Sequence, residues 1–182
     1  MRVISGKAKS LPLKAPSGMD TRPTTDRIKE TLFNMINPII YDSVFVDLFS
    51  GSGAIGIEAL SRGASKAFFV ENDRKAWQVI EENLRFTKLG DNAILLWQDA
   101  NSALSRISED EVDIIFMDPP YQSGLDAKAL EFLKDQKYVT DKTLIIIEAT
   151  LDRDVSFVEA SGFYIDKVKK YKTNQHIFIK KA

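Results

Sequence analysis

Residues 44–56 read Val44-Phe45-Val46-Asp47-Leu48-Phe49-Ser50-Gly51-Ser52-Gly53-Ala54-Ile55-Gly56. A short apolar run ends in an acid, and a G-x-G-x-x-G loop follows. A helical pattern then carries Ile55, Ala59 and Leu60 until Arg62-Gly63 stops it. Glycines placed after a strand let the backbone turn sharply and let a ligand approach a helix N-terminus. Four more apolar runs flank this unit: Lys66–Val70, Ala93–Trp97, Val112–Met117 and Thr143–Ile147. None alternates with polar residues. Together with Val44–Leu48 they predict strands buried on both faces, as in a parallel sheet. Helical patterns fill the gaps. Asp73 caps one that carries Ala76, Ile80, Asn83, Leu84 and Thr87 and closes at Gly90, and residues 99–107 and 125–135 carry weaker ones. This alternation predicts an α/β fold with a doubly wound sheet.

The two ends depart from that rhythm. Arg2–Ser5 and Leu11–Ala15 predict a short N-terminal hairpin, broken off by Pro16 and Gly18. Arg22-Pro23-Thr24-Thr25-Asp26 then opens a helix, with Thr24 or Thr25 as its cap and Ile28, Leu32 and Met35 or Ile36 on one face. At the other end Tyr164–Tyr171 and Gln175–Lys180 predict an antiparallel hairpin turning at Thr173-Asn174. Residues 1–40 form one unit and residues 41–182 the main domain.

Composition narrows the chemistry. The 182 residues are 44% hydrophobic and 28% charged, as in a folded soluble chain. Cysteine is absent and there is one histidine, which excludes thiol catalysis, disulfide scaffolds and a multi-histidine metal site; no metal is expected. Met1–Ser10 has no apolar stretch of the signal-peptide kind and no apolar run approaches a membrane span, so a cytoplasmic location is expected. Charge is uneven. Residues 1–40 carry seven basic and three acidic side chains, residues 41–165 twelve and twenty-two, and residues 166–182 six and one. Basic ends on an acidic body suit an anionic partner, although solvated charged segments would look the same.

Three acids fall at three successive strand ends: Asp47, Glu71 and Asp99. Ligands of open α/β sheets bind at that rim. The loop with Glu71 satisfies the minimal dinucleotide fingerprint, in which the acid holds a ribose hydroxyl. Asp47, however, would repel a pyrophosphate. It suits a cation such as the ammonium of S-adenosylmethionine. After the fourth run comes Asp118-Pro119-Pro120-Tyr121. Two prolines fix the backbone and remove two donors, leaving carbonyl acceptors beside the Asp118 carboxylate and the Tyr121 ring. Such a pair of acceptors next to a stacking ring suits a planar base with an exocyclic amine. Hydrogen bonds from that amine to Asp118 and the Pro119 carbonyl would favour a tetrahedral nitrogen with an exposed lone pair, catalysis by positioning and electrostatics.

With these motifs the chain resembles a class I S-adenosylmethionine-dependent methyltransferase. Its N-terminal third resembles more narrowly the bacterial 16S ribosomal RNA guanine-N2 methyltransferases, through Met1-Arg2-Val3-Ile4-Ser5-Gly6, Arg22-Pro23-Thr24-Thr25-Asp26-Arg27 and Glu30-Thr31-Leu32-Phe33-Asn34, and so does Leu48 through Gly63. The resemblance implies a Rossmann-like, mostly parallel seven-stranded sheet ending in an antiparallel strand, preceded by a hairpin and helix that cover the cofactor. It implies S-adenosylmethionine bound by Asp47, Phe49, Ser50, Gly51, Ser52, Gly53, Glu71, Asn72, Asp99, Ala100 and Thr24. It implies Asp118, Pro119 and Tyr121 as the catalytic set. Substrate RNA falls to Arg2, Lys7, Lys9, Arg22, Arg27 and Pro120, and the partner is 16S ribosomal RNA or an assembling 30S subunit. One departure stands out: Ser10-Leu11 occupies the place of the family's Gly-Arg pair, so Lys7, Lys9 or Lys14 would have to replace that arginine.

Three other activities compete: a DNA adenine-N6 methyltransferase, an NAD(P)-dependent oxidoreductase, and a non-catalytic RNA-binding module. Lys14 and Lys29 are further candidates for phosphate contact. Trp77 and Trp97 are expected to pack, and His176 to be structural or exposed on an edge strand. Lys167–Lys172 either faces RNA or guards a sheet edge. A monomer is expected.

Overall fold

The computed structural model describes residues 1–16 and 25–182. Arg22, Pro23 and Thr24, together with Gly18, lie outside these. The chain order is α1 (Asp26–Ile40), β1 (Val44–Asp47), α2 (Ala54–Ser61), β2 (Lys66–Glu71), α3 (Arg74–Thr87), a 3-10 turn (Gly90–Asn92), β3 (Ala93–Trp97), α4 (Ala100–Leu104), β4 (Ile114–Met117), α5 (Leu125–Leu133), β5 (Leu144–Thr150), α6 (Phe157–Ala160), β6 (Phe163–Lys170) and β7 (Asn174–Lys181). Seven strands form one sheet in the order β3-β2-β1-β4-β5-β7-β6. The first five are parallel, and β7 runs antiparallel to both β5 and β6.

Two apolar cores cover the two faces. On one, Phe45, Phe69, Phe116, Ile146 and Phe178 of the sheet pack against α1, α2 and α3, and the N-terminal residues Val3, Ala8 and Leu13 share this core. On the other, Val46, Val70, Met117, Ile147 and Ile177 pack against α4, α5 and α6. Successive residues serve opposite faces because side chains alternate along a strand. Apolar runs without alternation therefore fill both layers at once. The exception is β3, which lies at an edge and is only half buried.

Caps set the helix starts. Thr25 accepts from the Ile28 N–H to begin α1, and Asp73 accepts from the Ala76 N–H to begin α3. The expected α1 face shifts by one residue, because Lys29 is buried with Leu32, Phe33, Ile36 and Ile40 while Ile28 is only partly covered. The N-terminal hairpin reduces to one antiparallel bridge, Arg2 with Pro12. The backbone bonds Val3 N–H to Leu11 O (3.0 Å) and Leu13 N–H to Met1 O (3.1 Å) flank it. At its return Ser10 takes a left-handed φ of 70°, a conformation that glycine adopts more easily. Leu11 is half-buried and packs onto the core.

Two expectations are corrected at the C-terminus. His176 is fully buried, because β7 is an interior strand and β6 is the edge. The turn precedes Asn174, which already belongs to β7. Lys167, Lys169 and Lys170 are exposed on β6, where charge protects an open edge.

Candidate active site

Strand order reverses between β1 and β4, and the carboxyl ends of the parallel strands there are where open α/β sheets form their ligand crevice. Asp47 ends β1 and Asp118 follows β4, so the two predicted acids flank the crevice. Asp47 is 1% exposed and accepts the Gly56 N–H at 3.0 Å through Oδ2, which ties it to the first turn of α2. Burial, reinforced by the charge of Glu71, pushes the Asp47 carboxyl up to about 7 against the pull of the Gly56 N–H.

The glycine loop is cross-braced. The Ser50 hydroxyl donates to Asp47 O at 2.7 Å and accepts the Val70 N–H at 3.0 Å, joining β1 to β2. Glu71 Oε2 accepts the Gly51 N–H at 2.9 Å, while Oε1 accepts those of Asn72 and Asp73 at 2.9 and 2.8 Å. Gly53, at φ 77°, ends the loop in a left-handed turn before α2. A Cβ on Gly56 would stand 2.4 Å from the Phe69 ring, so the helix reaches the sheet only because that atom is missing. Beside Gly51 the space a Cβ would take is open to 4 Å, which leaves that side of the loop accessible.

The other cofactor candidates divide. Phe49 and Ala100 are half-buried, and Asn72 is exposed with its carbonyl accepting the Trp97 indole N–H at 3.2 Å. Trp97 is 57% exposed and stacks on Trp77, so it forms surface beside Asn72 and does not fill the core. Asp99 caps α4, accepting the Ser102 N–H (3.0 Å) and hydroxyl (2.6 Å), bonds that hold its carboxyl below the usual range. Its neighbour Gln98, missed in the sequence, has a buried Nε2 with no partner among the described residues. An orphaned donor at the end of β3 can meet an acceptor on a planar ring.

Across the crevice Pro119 is buried, Pro120 is exposed and Tyr121 is 61% exposed. Asp118 is half-buried. Burial, then the charges of Glu148 and Asp47, pushes its carboxyl well above the ordinary value. Carboxylates so crowded favour a positively charged occupant. These residues therefore fit S-adenosylmethionine, whose ammonium and sulfonium would offset Asp47 and Asp118. Among the described residues no group of three His, Asp or Glu side chains could hold a metal ion.

The basic candidates are spread out. Exposed Arg2 pairs with Asp26 at 3.2 Å, and Arg27 is exposed on α1. Lys7 and Lys9 are exposed on the turn held by the Lys7 N–H to Ser61 O bond, at the C-terminal end of α2. Eight residues of helix set that turn about 12 Å from the glycine loop. Lys14 is exposed and pairs with Glu82. Lys29 is the correction in this group: 1% exposed, it contacts Arg2 O and Glu58 inside the protein and offers nothing to phosphate.

The fold and this crevice define a class I methyltransferase architecture. A family model described as "Conserved hypothetical protein 95" matches residues 1–180, and the chain belongs to that family. The chain is 43% identical over 164 residues to "Putative rRNA methyltransferase YlbH" of Bacillus subtilis (strain 168), covering 89% of this chain and 88% of that protein. It is 38% identical over 161 residues to "Ribosomal RNA small subunit methyltransferase D" of Escherichia coli (strain K12), covering 88% and 80%. Among solved structures, "Putative methyltransferase yhhF from Escherichia coli" superposes with a TM-score of 0.85 at 34% identity, over 100% of this chain and 97% of the other.

Proposed function

We propose that the protein transfers a methyl group from S-adenosylmethionine to ribosomal RNA of the small subunit, at the exocyclic N2 amine of a guanine in 16S RNA. The observation that carries the reading is the meeting of two segments. An acid-rimmed glycine loop and the Asp118–Tyr121 segment meet at one switch point of the sheet. Similarity to the small-subunit methyltransferase D relatives supports an RNA substrate.

S-adenosylmethionine, when bound, supplies an electrophilic methyl on a sulfonium. The chain's own residues do the rest. Asp47 faces the donor's cationic part, and Glu71 holds the ribose while bracing the loop through Gly51. Asp118 and the Pro119 carbonyl accept the two N–H bonds of the guanine amine, which localises its lone pair. Tyr121 stacks on the base, which must be unstacked from its RNA to arrive there. Nothing in this scheme requires a covalent enzyme intermediate. Residues 1–40 cover the cofactor, and Arg2, Lys7, Lys9, Arg22, Arg27 and Pro120 meet the RNA. Thr24 completes the cofactor set. The partner is 16S RNA or an assembling 30S particle, met by a monomer in the cytoplasm.

The test is incubation with methyl-labelled cofactor and 30S particles lacking the modification, followed by nucleoside mass spectrometry. Labelled N2-methylguanosine at one position is expected. Label on adenine N6 in DNA, or none on RNA, overturns the reading. Calorimetry with both cofactors separates it from the oxidoreductase alternative, which requires NAD(P) binding.

A further inference from the structure

Behind Asp118 runs a buried polar chain that neither the sequence motifs nor the mechanism uses. In the parallel pairing of β4 with β5, Met117 lies opposite Ile147, so the next residues along, Asp118 and Glu148, are neighbours. In the antiparallel pairing of β5 with β7, Glu148 lies opposite His176. Phe116, Ile146 and Phe178 mark the sheet face on which α1, α2 and α3 pack. Strand alternation places Asp118, Glu148 and His176 on that same face, in one row across three strands. Glu148 Oε2 contacts His176 Nε2 at 3.1 Å, and Oε1 accepts from Asn174 Nδ2 at 2.6 Å. His176 Nδ1 contacts the Tyr171 hydroxyl at 3.0 Å, and its ring stands edge-on to Phe116. Glu148 is 6% exposed and His176 is fully buried, while Tyr171 is half-buried and lies toward the surface.

A carboxylate and an imidazole are costly occupants of such a position, where an apolar pair would pack as well. We propose that Glu148, backed by His176 and Tyr171, is a positioning residue that sets the charge on Asp118 as the substrate amine arrives. The inference deepens the proposed function and rests on its assignment of Asp118 as the amine acceptor.

Glu148 from β5 and Asp47 from β1 both act on Asp118, and His176 and Asn174 hold the Glu148 carboxylate in its place. The charge of Glu148 disfavours the anion on Asp118. Tyr171, whose hydroxyl burial and Glu148 push up to about 12, stays protonated and closes the row against His176 Nδ1.

Two variants test this by charge at constant position. E148Q removes the negative charge and keeps the shape, and the acidic limb of turnover, which reports ionised Asp118, is expected to move down by about one pH unit. E148D keeps the charge and is expected to leave the limb close to that of wild type. Carbon-13 carboxyl NMR of aspartate-labelled protein, with D118N to assign the signal, reads the same shifts without any substrate. A downward shift in E148Q that E148D does not share supports the proposal. Coincident midpoints, or equal shifts in both variants, overturn it and leave the row a packing feature, even if turnover falls. If wild type forms no N2-methylguanosine while the E148Q midpoint still moves down, the coupling stands and the proposed substrate fails.

Discussion

Two buried carboxylates, at opposite ends of α2, are treated differently. Glu58, toward its C-terminal end, is 0% exposed and fully answered from within the chain. Arg62 pairs with it at 2.8 Å and Lys29 at 3.5 Å, and the Ile4 and Ser5 N–H groups donate to it at 2.8 and 3.0 Å. That cluster fastens the N-terminal segment to α1 and α2. Asp47, beneath the N-terminal end of the same helix, accepts one backbone N–H and meets no cation among the described residues, and Asp118 faces Glu148 as well as Asp47. A buried charge balanced by its own fold is a fastener. A buried charge left unbalanced at a strand end is a place kept for a ligand.

The comparison breaks most visibly if Glu58 is dispensable. Glu58→Ala leaves Lys29 buried without its counter-ion and is expected to destabilise the protein by about 3–5 kcal/mol, read from urea denaturation. Lys29→Met in that background should recover part of the loss. The crevice acids are expected to behave in the opposite way, costing function and leaving the fold intact. Asp118→Ala should slow methyl transfer about 10²–10³-fold, with cofactor affinity by calorimetry little changed; unchanged single-turnover rates would remove its assigned role.

Asp47 sharpens the contrast through pH. Its carboxyl rises from 3.8 to about 7 on folding. A raised value means the contribution to stability is fully present below pH 4 and is lost as pH climbs toward 7. Cofactor-free Asp47→Asn should escape that loss. It is expected to be more stable than wild type by about 4 kcal/mol at pH 8 and to converge with it near pH 4, while binding S-adenosylmethionine poorly. Denaturation midpoints across that range decide the matter. The smallest effect is expected on the fastened segment. Ser10→Gly relieves a left-handed residue and should add about 0.5 kcal/mol to thermal stability without altering turnover.

Legibility followed the same division. The parallel strands could be read because burial on both faces requires unbroken apolar runs, and the loop because few residues besides glycine can make its turn. Asp47, Glu71 and Asp118 could be placed because each directly ends a readable strand. Lys29 could not. A lysine one place from an apolar stripe looks solvated until Glu58, 29 residues later, is brought beneath it. His176 was equally hidden, because strand order and not local sequence makes β7 interior. Gln98 gave no signal beyond its place after β3.

The sequence by itself determined the elements, the glycine turn and the acids at the strand ends, since those depend on local backbone sterics and periodic burial. Only the tertiary structure decided which charges were partners. It set Glu58 among Lys29 and Arg62, lined up Asp118, Glu148 and His176 across β4, β5 and β7, and gave Asp47 no cation among the described residues. Electrostatic energy depends on distance through space and on exclusion of water, and neither is written in the spacing of residues along the chain.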